Sequence, residues 1–372
     1  MHLRYSIVAL HLILLAPPLA SACWFPSSHK RSRASRKEQH IWASLNGCSP
    51  RTASWQADYF LARLNESGRG YTSCARHHWL EKLATLGQNG SGQATIIDIG
   101  CNRGYFTSTA LNYWAPGFGN HNRLVHEVHQ AGGQYGGGAC GVCGDCVHGP
   151  AAPVTLQPQD EVDVHCFEPS LWHQRALGAV RAALYGPVDA PKTDKGTAVR
   201  WHVLPYAVSN ATGTAHFPTN CTHEECNFDL NEQKADVNVT TVDDYMKQAR
   251  IRYVDVLKID TEGFDPAVLA GAYNTLRRHR AEVLSFEYHG FWFRSGGTLR
   301  LCLDYLEELG YSCFFDAPLL FKLTGCWDPR LEIKEWSNIV CAVRGSETEA
   351  EMNALTALRQ QRAAHQAHEG RR

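Results

Sequence analysis

The segment Ala94-Thr-Ile-Ile-Asp-Ile99, followed by Gly100-Cys-Asn-Arg-Gly104 and Tyr105–Asn112, constrains the fold more than any other part of the chain. Ala94–Ile99 is a short apolar, β-branched run, the mark of a strand buried on both faces. The two glycines permit a sharp turn and a close approach of backbone to a ligand, where a Cβ would intrude. Tyr105–Asn112 is compatible with a helix, whose first N–H groups then face the turn. Strand, glycine turn and helix open a doubly wound α/β domain. Further strands are predicted at Val162–Phe167, Val199–Leu204, Val254–Ile259, Val283–Tyr288, Tyr311–Phe315 and Asn338–Val343. Helices fill the gaps at Leu171–Leu184, Thr241–Arg250, Pro266–His279 and Thr298–Leu309. The last two strands have no helix between them and are expected to form an antiparallel pair at one edge of the sheet.

Four constellations carry chemistry. The glycine turn contributes Asp98, Gly100, Asn102 and Gly104. Dinucleotide enzymes favour G-x-G-x-x-G, and here Asn102 stands where the second glycine would be. That spacing favours a nucleoside cofactor without a pyrophosphate over NAD. Glu168 ends the next strand, where a carboxylate accepts hydrogen bonds from both hydroxyls of a ribose. As a plain helix-start charge it would also be favourable. Lys258-Ile-Asp-Thr-Glu-Gly263 delivers Asp260 and Glu262 to the same end of the sheet, and Asp265-Pro266 reads as a helix N-cap with proline at the first helical position. Glu287 and His289 close the following strand.

In this order the four segments resemble the FkbM family of methyltransferases over about Thr95–His289. Supporting stretches are Val203–Ser209 with Gly213, Val239–Asp244 and Val268–Ala272. Lys258–Gly263 is the most specific element and the glycine turn the least. The resemblance implies a Rossmann-like fold: a mostly parallel seven-stranded sheet with an antiparallel edge pair and helices on both faces. It implies S-adenosyl-L-methionine as cofactor and methyl transfer to a hydroxyl of a small molecule or glycan. Carried over by position, Asp98, Gly100, Asn102 and Gly104 line the methionine and ribose side, and Glu168 holds the ribose. Ala207 and Val208 lie near the adenine; Asp260 and Glu262 sit near the methyl, and Glu287 with His289 face the acceptor. Asp260 and Glu262 are the first choice of base, against a purely positional role for both. The chain departs from the family at an insertion, 113–160, and at Asp265, where the related motif commonly has Glu. No metal is assigned. Rival readings are an NAD-dependent oxidoreductase, disfavoured by the glycine spacing, and a catalytically silent secreted binding protein, disfavoured by the intact acids.

The flanks bear on compartment. Ile7–Ala16 is an apolar run broken by His11, followed by Pro17, Pro18 and the small residues Ala20, Ser21 and Ala22, which reads as a signal peptide at 1–22. The run is shorter than the ~20 residues of a spanning helix, and the basic cluster Lys30–Lys37 follows it, so no stable span is expected after cleavage. Fourteen cysteines and five N-x-[ST] acceptors, at Asn65, Asn89, Asn210, Asn220 and Asn238, agree with entry to the secretory pathway or secretion. A basic flexible stem at 23–40 and a helical extension at 41–90 precede the catalytic domain, 91–345, and a charged helical or disordered tail, 346–372, follows. Cys140, Cys143 and Cys146, with nearby histidines, leave disulfides and zinc open, disulfides being the default in an oxidising lumen. Cys221 and Cys226 flank a short loop and are candidates to pair. A formal net charge of -1 provides no global attraction to nucleic acid, and no nucleic-acid partner is expected.

Overall fold

The computed structural model describes residues 48–67, 77–86, 92–116, 126–127, 159–185, 196–218, 226, 234–295, 297–317 and 319–356. The expected leader and stem, nearly all of the 113–160 insertion with Cys140, Cys143 and Cys146, and Cys221 lie outside these residues.

Eight strands form the main sheet: β1 (Gln93–Ile99), β2 (Glu161–Phe167), β3 (Ala198–Leu204), β7 (Val254–Ile259), β8 (Ala281–Tyr288), β9 (Tyr311–Asp316), β10 (Phe321–Lys322) and β11 (Ser337–Val343). Their order is β10-β9-β11-β8-β7-β1-β2-β3. The block β3-β2-β1-β7-β8 is parallel throughout, as the alternation of strands and helices requires. The expected count of seven is therefore corrected to eight. The added strand, β10, is two residues long and too short to show any periodicity. The antiparallel pairing of β9 with β11 is present, but β11 also pairs antiparallel with β8. The pair is thus not the edge: β11 is interior, and β10 closes the sheet against β9.

The strands alternate inward positions between two cores, one on each face. Ile97, Ile99, Leu257, Ile259, Leu284 and Phe286 belong to one. Ile96, Val162, Val164, Val256, Val283 and Val340 belong to the other. The first core is covered by α1 (Pro50–Ser67), α5 (Val242–Gln248), α6 (Asp265–Gly271), α7 (Tyr273–Arg277) and α8 (Leu299–Glu308). The second is covered by α2 (His78–Leu86), α3 (Tyr105–Trp114), α4 (Leu171–Tyr185) and α9 (Glu347–Ala354), whose Met352 is fully buried. The helix expected over Pro266–His279 is two, broken at Ala272. Among the described residues no helix is long and apolar enough to cross a membrane.

A second sheet was not foreseen. β4 (Tyr206–Val208), β5 (Gly213–Pro218) and β6 (Lys234–Thr240) pair in the order β4-β6-β5. Most of β5 and β6 is exposed, so no apolar alternation announces them. Asn238 on β6 and Asn210 between β4 and β5 are both exposed.

Three disulfides join described cysteines. Cys48–Cys326 ties the segment before α1 to the loop after β10, and Cys313–Cys341 joins register partners of β9 and β11. Cys101–Cys166 clasps the glycine turn to β2.

Near the start of β7, Asp255 accepts the Thr95 N–H at 2.7 Å. Burial pushes its carboxyl up to about 6 against these backbone bonds. A carboxyl whose folded pKa lies above its unfolded value contributes stability at acid pH that is lost as pH rises through the folded value. Stability should therefore fall by about 1–2 kcal/mol between pH 4 and pH 7.5 on this account. Asp255→Asn keeps an acceptor for Thr95 and should remove that part of the fall. Denaturant titrations at the two pH values with unchanged wild-type and variant differences would refute the assignment.

Candidate active site

β1 and β7 are neighbours, and Asp98 is the register partner of Lys258. Asp98, Lys258 and Asp260 consequently stand on one face of the sheet. Lys258 Nζ bridges them, 3.0 Å from Asp260 Oδ2 and 3.7 Å from Asp98 Oδ1. The hydroxyl of Thr107 on α3 donates to Asp98 Oδ2 at 2.7 Å. Burial raises the Asp98 carboxyl above the ordinary range, with Lys258 and Thr107 opposing it. For Asp260 burial also acts upward, but Lys258 prevails and its pKa is lowered. Lys258 in turn is held charged by the two carboxylates despite its burial.

The turn itself is shaped by contact. Gly100 has φ +74°, and a Cβ there would lie 1.7 Å from the carbonyl oxygen of Asp260. The N–H groups of Gly100 and Cys101 both donate to the Phe167 carbonyl, at 3.0 and 3.1 Å. Asn102 adopts φ +50° and its N–H donates to Glu168 Oε2 at 2.9 Å. Glu168, 4% exposed, also accepts the Ser170 N–H on Oε1 at 2.8 Å. Each carboxylate oxygen thus holds one backbone donor and keeps acceptor capacity for another.

A cleft opens beside this turn, with about 600 Å³ of empty space including open solvent. Gly100, Asn102, Glu168, Ala207, Val208, Asp260 and Glu262 all line it. Of the residues expected at the cofactor, Asp98 and Gly104 do not. Asp98 lies fully buried beneath. Gly104 caps α3 at φ +83°, and its Cβ position faces Leu177 and Trp201. The second sheet supplies Tyr206 and Phe217 to the cleft wall, and Phe167 and His173 add to it. None of these four was singled out in the sequence: Phe167 and Tyr206 stand within motif stretches but carry no charge or glycine, and Phe217 and His173 lie outside them. His173 is 4% exposed, and neither ring nitrogen has a hydrogen-bond partner; its Nδ1 lies 3.7 Å from Glu168 Oε1.

Glu287 and His289 do not line the cleft but adjoin it through Asp260. Glu287 Oε2 is 3.2 Å from His289 Nε2, and the Trp336 indole N–H donates to Oε1. The Phe291 N–H donates to His289 Nδ1 at 3.2 Å. Burial, then the neighbouring Asp260 and Asp265, push the Glu287 carboxyl well above its usual value, and a side-chain hydrogen bond joins it to Asp260. Glu262, at φ +53°, completes a group with Glu287 and His289 whose ligand-type atoms all lie within 4.8 Å of one another. A divalent cation could be held there.

Asp265 corrects one expectation. The N-cap of α6 is Phe264, and Asp265 is the first helical residue. Its carboxylate turns inward, accepting the Glu287 N–H at 3.2 Å and the Thr261 hydroxyl at 3.1 Å. It therefore couples α6 to β8 instead of capping its own helix. Burial and the charge of Asp260 push it up to about 6.

No curated protein and no solved structure matches the chain. Residues 163–313, from β2 to within β9, match the family model described as the methyltransferase FkbM domain, which includes Glu168, Lys258–Gly263, Glu287 and His289 and begins downstream of the glycine turn. Residues 163–313 thus carry the match to the FkbM methyltransferase domain, and β1 folds the glycine turn against that segment.

Proposed function

We propose that the protein is an S-adenosylmethionine-dependent O-methyltransferase of the secretory lumen, acting on a hydroxyl of a glycan or small sugar. The observation that carries this reading is the cleft that joins Gly100, Asn102 and Glu168 to Asp260 and Glu262. Its residues suit the cofactor. The bare Cα of Gly100 lets β1 approach β7, Glu168 has lone pairs left for two ribose hydroxyls, and His173 presents unpartnered nitrogens to a polar ligand.

When bound, the cofactor supplies a sulfonium-activated methyl group to an acceptor oxygen placed in line with it. Ala207 and Val208 offer an apolar wall to the adenine, and Asp260 remains anionic beside Lys258. A sugar hydroxyl is a weak nucleophile, so removal of its proton helps. The cluster of Asp260, Glu262, Glu287 and His289 offers acceptors for that proton. Burial raises the Glu287 carboxyl well above its usual value, and Asp260 shares a hydrogen bond with it. The disulfides and the exposed Asn210 and Asn238 support a lumenal setting, where glycan hydroxyls are abundant.

Calorimetric titration of the folded, oxidised protein tests the reading. S-adenosylmethionine should bind and NADH should not. Glu168→Gln should weaken binding by about 10–100-fold, the effect of losing a charged acceptor. Labelled methyl transfer to a panel of sugars and glycans then identifies the acceptor. Absence of heat with S-adenosylmethionine would dispose of the proposal.

A further inference from the structure

At the β2–β3 end of the sheet, on the face opposite Asp98 and Lys258, two neighbouring strands align a second set of chemical groups. His165 and His202 are register partners in the parallel pairing of β2 with β3, as are Asp163 and Arg200. Side chains two apart on a strand share a face, so all four converge. Asp163 Oδ1 is 2.8 Å from His202 Nε2 and 3.6 Å from His165 Nε2. The two imidazoles lie 4.9 Å apart, nearly parallel. Arg200 Nη2 is 3.5 Å from the other oxygen, Asp163 Oδ2, and pairs with Glu161.

His165 is the decisive residue. It is 5% exposed, and its Nδ1 lies 2.8 Å from the Tyr245 hydroxyl. Its other nitrogen, Nε2, is buried without a hydrogen-bond partner; Asp163 at 3.6 Å is beyond reach. A buried nitrogen left unmatched in an otherwise paired polar network calls for an occupant. It points into the space bounded by Asp163 and His202, and the three ligand atoms lie within 4.8 Å of one another.

We propose that Asp163, His165 and His202 bind a divalent metal of the zinc class, cross-linking β2 to β3. Two imidazoles and one carboxylate are a donor set that zinc accepts. Zinc bonds of about 2.0–2.1 Å place tetrahedral ligand atoms about 3.3 Å apart, between the two distances measured from Asp163. His202, with 43% of its side chain exposed, turns without disturbing the core and leaves the fourth position to water. Tyr245 serves as the outer partner: when His165 Nδ1 donates to its hydroxyl, the Nε2 lone pair is set toward the metal. Glu161 offsets the positive charge of Arg200. None of the three ligands lines the cofactor cleft, but Tyr245 packs edge-on to Phe167 at 4.6 Å, and Phe167 is a cleft residue. The metal thus braces one wall of the cleft from outside, and its binding does not depend on the methyltransferase reading.

The test uses the full chain, stripped with a chelator and titrated with zinc alone. The wild type should bind one more equivalent per chain than His202→Ala or Asp163→Asn. With free zinc near a hundred times Kd, its Tm should rise by roughly 5–10 °C, and the variants should show less than half of that rise. His202→Ala changes a half-exposed side chain, and circular dichroism confirms that each variant is folded. Cobalt(II) should give a tetrahedral absorption band without thiolate charge transfer that both variants lose. This signature separates the site from any site on the cysteines of the insertion. Equal zinc content and equal Tm rise in wild type and both variants would overturn the proposal, as would a cobalt spectrum carrying only thiolate transitions.

Discussion

Replacing Gly100 with alanine is expected to reduce S-adenosylmethionine affinity by more than ~100-fold and to destabilise the fold by about 2–4 kcal/mol. Two costs combine. An L-residue at φ +74° is strained, and its Cβ would lie 1.7 Å from the Asp260 carbonyl oxygen. That oxygen is poorly placed to retreat. The Asp260 N–H donates to the Ile99 carbonyl at 2.9 Å, so a shift breaks the last bond between β1 and β7. The tips of the two strands must then part, carrying Asp260 away from Asn102 and Glu168 across the cleft. Gly104→Ala is the internal control. It shares the positive φ, but its Cβ would meet the Leu177 and Trp201 side chains at 3.0–3.1 Å, away from the cleft. It should cost stability and largely spare affinity. Calorimetry and thermal unfolding on both variants decide the matter, and wild-type affinity in Gly100→Ala would contradict the placement of the cofactor.

The second large effect is expected from the Cys101–Cys166 disulfide. Cys101 lies inside the glycine turn, and Cys166 precedes Phe167 and Glu168 on β2. The two cysteines are 65 residues apart in sequence, so the bond closes a long loop and should contribute about 2–4 kcal/mol by restricting the unfolded chain. It also holds the turn against β2, where the Phe167 carbonyl takes two N–H bonds and Glu168 takes one from Asn102. The double variant Cys101→Ala with Cys166→Ala should unfold at lower denaturant and bind S-adenosylmethionine about tenfold more weakly. If only stability falls while affinity is unchanged, the backbone bonds alone position the turn. Since such a bond persists in an oxidising compartment, the expected affinity loss would make the cleft sensitive to where the chain resides.

Several parts of this arrangement were legible in the residues. The β-branched run Ala94–Ile99, its glycine turn and the following helix are local features, and each is written within a dozen positions. Glu168 at the end of β2 and Asp260 and Glu262 at the end of β7 follow from reading apolar strands to their carboxyl ends, because parallel strands deliver those ends to one side of the sheet. The residues expected at the cleft and the neighbouring cluster therefore lie close together, apart from Gly104, which serves packing. Asp265 looked like a helix cap because its local context, acid before proline, is what a cap requires. A buried strand competing for the same carboxylate turned it inward.

What the sequence by itself determined was the succession of the main sheet's longer strands, most of the helices between them and which acids end which strands, since those depend on periodicity and turn chemistry within short windows. The tertiary structure decided everything that depends on register and strand order. It inserted β11 between β8 and β9, built a cleft wall from the exposed strands β4–β6, and bound Cys101 to Cys166. It also set Lys258 between Asp98 and Asp260 and brought His202 beside Asp163 and His165. These pairings join residues far apart in the chain, and their energy exists only once neighbouring strands have taken up a common register, so no local pattern can announce them.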